Sequence, residues 1–159
     1  MTCDELTAAW ADQPNDALIA HIIERYHRPL DAQLDEIEAL TAALPDPARW
    51  RGVLDAVHAL HVELVGHMRK EEKITFPMVR SGSGFMAVPL QVMAHEHDLA
   101  LELVGRVREA TRSYRVPSDA PPQIPRLFEL LATIERDLDE HTVLEDLLFR
   151  RARQKGPKG

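Results

Sequence analysis

The sequence predicts an all-α chain folded as an up-down-up-down four-helix bundle with ionisable residues in its core. Three observations predict it. Leucine, alanine, glutamate and arginine are plentiful and aromatics make up only 5% of the residues, a mix that favours helix over sheet. Proline and glycine clusters divide the chain into four long segments whose apolar residues recur at helical rather than alternating spacing. Two of these segments carry a histidine followed four residues later by a glutamate, His67–Glu71 and His141–Glu145, so each pair shares one helix face.

The elements follow in order. Residues 1–15 form a short polar leader, too small for a domain. The first helix runs from about Asp16 to Leu44 and is closed by Pro45 and Pro47, with Ile23, His27, Leu30, Leu34 and Ile37 on one face. The second runs from about Ala48 to Val79, up to Ser81-Gly82-Ser83-Gly84, with Leu60, Leu64, His67, Glu71, Ile74 and Met78 in its stripe. The third runs from about Val88 to Arg115, with Leu90, Met93, His97, Leu101 and Val104 together. Pro117, Pro121, Pro122 and Pro125 separate it from the fourth, about Pro125 to Arg153, with Leu127, Leu131, Ile134, Leu138, His141, Glu145 and Leu148 aligned. Short connections make consecutive helices antiparallel. The expectation is one domain over residues 16–153 and a flexible tail over 154–159.

In that topology the histidines can be compared for depth. His27 and His97 lie roughly eleven and nine residues after their helices begin, and His67 and His141 roughly twelve and eleven before theirs end. At about 1.5 Å per residue, all four fall in one layer roughly 13–18 Å from the same end of the bundle. Burying an unpaired glutamate is expensive. Four inward histidines and two inward glutamates at one level therefore call for a metal.

The ligand types narrow the metal. Imidazole and carboxylate without thiolate suit iron, manganese or zinc. Carboxylates from opposite helices can bridge two ions, each with two terminal imidazoles, and an oxo or hydroxo bridge brings each to roughly five ligands. One position on each ion then stays open to a small molecule. This is the pattern of a di-iron carboxylate site within a helix bundle.

Other residues carry weaker signals. Glu63, one turn before His67, and Glu96, beside His97, are candidates to support the ligands or line a polar channel. Glu72 is expected to be solvated, and Tyr26 to pack beside His27. His21, His58, His61 and His95 fall off the stripes and are expected at the surface or helix edges. The net charge of −7 argues against nucleic-acid binding, and no stretch approaches the ~20 apolar residues of a membrane span. The N-terminus lacks the pattern of a signal peptide, and the single cysteine, Cys3, makes no intrachain disulfide. The cytoplasm is the expected location.

Taken together, these residues resemble the hemerythrin-like fold and, within it, the repair-of-iron-centres family. The run His67-Met-Arg-Lys-Glu71-Glu72-Lys-Ile-Thr-Phe-Pro77 is similar to that family's H-M-x-K-E-E-x-I-x-F-P. Arg25-Tyr26-His27 resembles its R-Y-H, and Val92-Met93 with Glu96-His97-Asp98 its V-M-x-x-E-H-[DE]. Asp137-Leu138, His141 and Glu145 resemble its D-L-x-x-H-x-x-x-E. The resemblance spans about Ala9 to Ala152. It implies the metal ligands His27, His67, Glu71, His97, His141 and Glu145, with Glu63 and Glu96 on a route to the ions.

Oxygen-carrying hemerythrins have a fifth histidine, from a His-x-x-x-His pair on the third helix. Here the positions four from His97 are Met93 and Leu101, and His95 points about 200° away. The four-histidine repair type is the better fit. Two departures stand out: family members usually carry an N-terminal cysteine-pair module, where this sequence has Cys3 alone. They also often read E-N-x-x-F-P where it has Glu145-Asp146-Leu-Leu-Phe149-Arg150.

The resemblance implies a non-haem di-iron protein of the nitrosative or oxidative stress response. It would support iron–sulfur cluster repair by supplying iron, by removing nitric oxide, or both, with damaged iron–sulfur proteins as partners. Two adjacent open positions would allow a nitric oxide reductase-like activity yielding N₂O. The alternative is a protein that senses, stores or carries O₂ or NO without turnover.

Overall fold

A computed structural model describes residues 1–82 and 84–154, and all regular structure among them is helical. The expected tail from 155 onward lies outside the described residues, while Gln154 closes the last helix. A short helix α1 (Cys3–Trp10) comes first. Helix α2 (Asn15–Ile22) continues through a π-turn (Ile23–His27) into α3 (Arg28–Ala42). Helix α4 (Arg51–Lys70) continues likewise through a second π-turn (Glu71–Thr75) into α5 (Phe76–Ser81). Helices α6 (Ala87–Ala110) and α7 (Gln123–Gln154) complete the chain.

Each boundary has a local cause. Thr2 and Glu5 form a reciprocal capping box at the start of α1, and Leu6 is buried as α1 packs on α7. The polar leader therefore holds a docked helix. Helix α5 stops at Gly82, whose φ of 66° is left-handed. Helix α6 ends at Ala110, short of the expected Arg115, because Arg112, Ser113 and Tyr114 all turn left-handed.

The two π-turns share a cause as well. Pro29 and Pro77 each stand two residues beyond a π-turn, deep inside a continuous rod. A proline there cannot donate to the helix ladder, and its ring crowds the carbonyl four residues back. The rod absorbs this by widening: the Arg28 N–H donates to Ile23 O and the Phe76 N–H to Glu71 O, each five residues back. Each widening adds one residue to the turn and rotates what lies beyond it. The expected stripe of the second rod fails past Glu71 for this reason: Ile74 is 52% exposed and Met78 only half-buried, while Thr75, Phe76 and Val79 are buried. In the first rod, Ile19 and Ile22 are fully buried where Ile23 was expected. Leu101 is also exposed, because the buried arc of α6 runs from Met93 and Val104 round to Glu96, Leu103 and Val107.

Helix α4 packs on α6, α3 on both α7 and α4, and α2 on α7 and α5. Two apolar clusters result. One is built by α3, α4, the C-terminal half of α6 and the N-terminal half of α7, around Leu34, Ile37, Leu64, Val107, Leu127 and Ile134. The other is built by α2, α5, the N-terminal half of α6 and the C-terminal half of α7, around Leu18, Ile22, Phe76, Leu90, Leu144 and Leu148. A polar layer separates them along every long rod. Each fully buried Leu or Phe in them contributes roughly 1.5–3 kcal/mol.

Candidate metal centre

The polar layer consists of the six residues singled out above. His27 comes from the first π-turn, and His67 from the last turn of α4. Glu71 opens the second π-turn, His97 lies mid-way along α6, and His141 and Glu145 lie on α7. All are buried; His27 and Glu71 are fully enclosed and Glu145 is 1% exposed. A π-turn at two of these positions lets a helix aim a polar side chain inward while its neighbours repack.

The ring nitrogens facing inward are all Nε2. His27 Nε2 lies 3.2 Å from Glu71 Oε2 and 3.5 Å from Glu145 Oε1, and His141 Nε2 contacts that same Glu145 Oε1. On the other side, His67 Nε2 lies 3.0 Å from Glu71 Oε1 and 3.6 Å from Glu145 Oε2. His97 Nε2 lies 3.7 Å and 2.6 Å from those two oxygens. Each carboxylate thus presents one oxygen to the His27/His141 pair and the other to the His67/His97 pair.

This arrangement makes two groups of four donors that could each hold a metal ion: His27, His141, Glu71 and Glu145, and His67, His97, Glu71 and Glu145. The fit can be tested on the atoms themselves. Both Glu71 oxygens and His67 Nε2 are buried with no hydrogen-bond partner, an expensive condition that a cation would relieve. His27 Nε2 and His141 Nε2 approach to 2.9 Å. Donors on one first-row ion, at bonds of about 2.1 Å and right angles, stand about 3 Å apart. Oxygen and imidazole donors without thiolate suit iron, manganese or zinc.

Residues 18–152 match the family model for the hemerythrin HHE cation binding domain. The chain belongs to the hemerythrin HHE family. It is 34% identical over 152 residues to the iron-sulfur cluster repair protein DnrN of Neisseria gonorrhoeae, covering 91% of this chain and 95% of that protein. It is 37% identical over 152 residues to the iron-sulfur cluster repair protein YtfE of Salmonella typhimurium, covering 90% of this chain and 68% of that protein. The same protein name and identity recur in Salmonella paratyphi B. No helix among the described residues is long and apolar enough to cross a membrane.

The charge of the hemerythrin site is dominated by its two enclosed carboxylates. Burial works against charged imidazoles, yet Glu145 and Glu71 outweigh it and lift His27 to about 9. Against the same burial, the Glu71 charge and the Glu145 contact lift His67 to about 10. His97 is pushed up to about 12, where Asp146, Glu145 and Glu71 together overcome burial. Glu145 falls well below its usual range, since His141, His27 and His67 outweigh burial. Burial and the neighbouring Glu145 charge push Glu71 upward, but His67 and His27 prevail and its net shift is downward. The centre is built to collect positive charge, whether protons or metal.

Outside the centre, three imidazoles turn Nδ1 toward a carboxylate. Glu96, expected to support the ligands or line a channel, is 6% exposed; it lies 3.4 Å from His67 Nδ1 and accepts from Lys70 Nζ at 2.9 and 3.1 Å. Asp146 Oδ1 lies 3.3 Å from His97 Nδ1, a role the sequence reading did not assign. Its signal was the position directly after Glu145. Glu72 is not solvated as expected: Arg28 and Arg69 each hold one of its oxygens, and it stands 3.9 Å from His27 Nδ1. Tyr26 stacks on His141 with centroids 5.5 Å apart and donates its hydroxyl to Glu140 at 3.0 Å. Glu63 is half-buried on α4 and makes no hydrogen bond or ion pair with any described residue. His58 and His95 are exposed and His61 half-buried, as expected; His21 is half-buried against Trp10.

Proposed function

We propose that residues 16–153 form one up-down-up-down four-helix bundle holding two non-haem iron ions, and that the protein supports repair of damaged iron–sulfur clusters under nitrosative or oxidative stress. His27 and His141 are the terminal ligands of one ion, His67 and His97 of the other, and Glu71 and Glu145 bridge them. The cytoplasm is the site of action. The observation that carries the reading is the sharing of both carboxylates, oxygen by oxygen, between two histidine pairs. The names and extent of the relatives support it.

Iron at the two positions supplies electrons and open coordination for a diatomic such as NO or O₂, and iron is itself the cargo if repair proceeds by iron supply. The chain's own residues do the rest. Converting two NO to N₂O and water consumes two electrons and two protons. Glu96, held by Lys70 at the edge of the centre, is placed to hold a proton beside His67. The apolar clusters on either side keep bulk water from the ligands.

The test is to incubate reduced, iron-loaded protein with an iron–sulfur enzyme inactivated by nitric oxide, following recovered activity and N₂O in the headspace. Recovery, with or without N₂O, is the expected result. Reversible NO uptake with neither recovery nor N₂O would overturn the reading in favour of a carrier or sensor.

A further inference from the structure

The two histidine pairs are alike toward the carboxylates but unlike on their outer side. At the His67/His97 pair each outer nitrogen faces a nearby carboxylate: Glu96, itself pinned by Lys70, is hydrogen-bonded to His67 Nδ1 at 3.4 Å, while Asp146 stands 3.3 Å from His97 Nδ1 without hydrogen-bond geometry. At the His27/His141 pair neither has one. Glu72 is 3.9 Å from His27 Nδ1, too far for a hydrogen bond, and both its oxygens are committed to Arg28 and Arg69. His141 Nδ1 has no carboxylate partner among the described residues. Instead, His141 borders a cavity of about 10 Å³ between α3 and α7, lined also by Tyr26, Gln33 and Asp137. That is room for about one water molecule.

A carboxylate behind a ligating imidazole fixes its orientation and raises its basicity, and losing one typically costs 10–100-fold in metal affinity. We propose that the two metal positions are unequal, and that the His27/His141 position gives up its ion first, toward the crevice lined by Gln33 and Asp137. This rests on the reading that the six residues hold two ions, and it names the ion that serves as cargo in iron supply. The His67/His97 ion, backed by Glu96 and Asp146, is the retained one. Asp137 and Gln33 offer oxygen donors where the released ion leaves the imidazoles.

The experiment is chelator competition. Protein loaded anaerobically with two equivalents of Fe(II) is mixed with excess ferrozine, and the coloured complex is followed in time. Two phases of equal amplitude, one ion each and at least about tenfold apart in rate, are expected. Glu96→Gln and, separately, Asp146→Asn should speed the slow phase about 10–100-fold and spare the fast one. Asp137→Asn should alter the fast phase alone. The Asp146 side chain is 55% exposed, so its variant keeps the test available if Glu96→Gln folds poorly. Both ions leaving in one phase, or Glu96→Gln and Asp146→Asn acting on the fast phase, would overturn the proposal alone. Fewer than two ions before chelator is added would overturn the two-ion reading and this inference with it.

Discussion

Replacing Glu71 by alanine separates the site's structural role from its metal-binding role. Glu71 is fully buried, and its two unpartnered oxygens lie 3.2 Å from His27 Nε2 and 3.0 Å from His67 Nε2. Breaking a buried ion pair costs about 3–5 kcal/mol when the surviving charge cannot escape. Here the imidazoles can shed their protons, so the cost in metal-free protein falls at the lower end, about 3 kcal/mol. For a chain of this size that lowers Tm by about 6–12 °C. The effect on metal is larger. On the proposed two-ion reading both ions lose an oxygen donor, where merely losing a hydrogen-bond partner of a ligand costs 10–100-fold. A loss of at least about 100-fold, or about 2.8 kcal/mol, is expected for one or both ions. Anaerobic Fe(II) titration, with metal analysis after gel filtration, should find fewer than two irons retained while circular dichroism stays helical. A folded Glu71→Ala variant that binds two irons with wild-type affinity would refute Glu71 as a bridge.

Further outcomes follow from the same geometry. His27, His67 and His97 are raised from 6.5 to about 9, 10 and 12, so their stabilisation of metal-free protein is complete below pH 6.5 and is lost as pH climbs through those values. The depressed Glu71 and Glu145 act oppositely, losing their contribution as pH falls below 4.5 toward their folded values. The Tm of metal-free protein should therefore fall from pH 7 to 10, and a rise over that window would contradict the assignment. Iron uptake near pH 8 must displace protons from these imidazoles, so a weakly buffered solution should acidify on loading. Deleting Lys73, exposed in the second π-turn, removes the one extra residue that the widening absorbs, so a plain α-turn there leaves Thr75, Phe76 and Val79 facing the core. Melting and metal analysis should find the burial of Phe76 and Val79 and the bound iron kept; a loss of about 3–5 kcal/mol of burial would refute the π-turn as a one-residue insertion. Arg151→Ala removes bonds to Trp10 O, Ala11 O and Gln13 O at 2.5, 2.6 and 2.9 Å. Hydrogen exchange over residues 3–13 should quicken with iron content unchanged, at a cost of roughly 1.5–3 kcal/mol to local stability.

The helical class was legible because clusters of prolines and glycines fall between long segments whose apolar residues keep a helical rather than alternating spacing. The six residues at the centre were legible because the four-residue spacing of His67–Glu71 and His141–Glu145 falls on a leucine stripe, which marks an inward face without coordinates. Helix α7 has no π-turn, and every residue of its expected stripe is buried. The stripes of the first two rods assumed a constant 3.6 residues per turn, and the π-turns break that assumption at His27 and Glu71. The signal was present in Pro29 and Pro77, which sit where an α-helix cannot take them without losing a bond. Asp146 and Glu72 were not legible as partners of imidazoles. Each adjoins a ligand in sequence but reaches a histidine on a different rod, and no spacing rule within one helix encodes that contact.

The most direct test of the centre is a crystal structure of iron-loaded protein with diffraction measured on both sides of the iron absorption edge. Two anomalous peaks are expected between Glu71 and Glu145, one beside His27 and His141 and the other beside His67 and His97. A single peak, or iron elsewhere on the chain, would contradict the account.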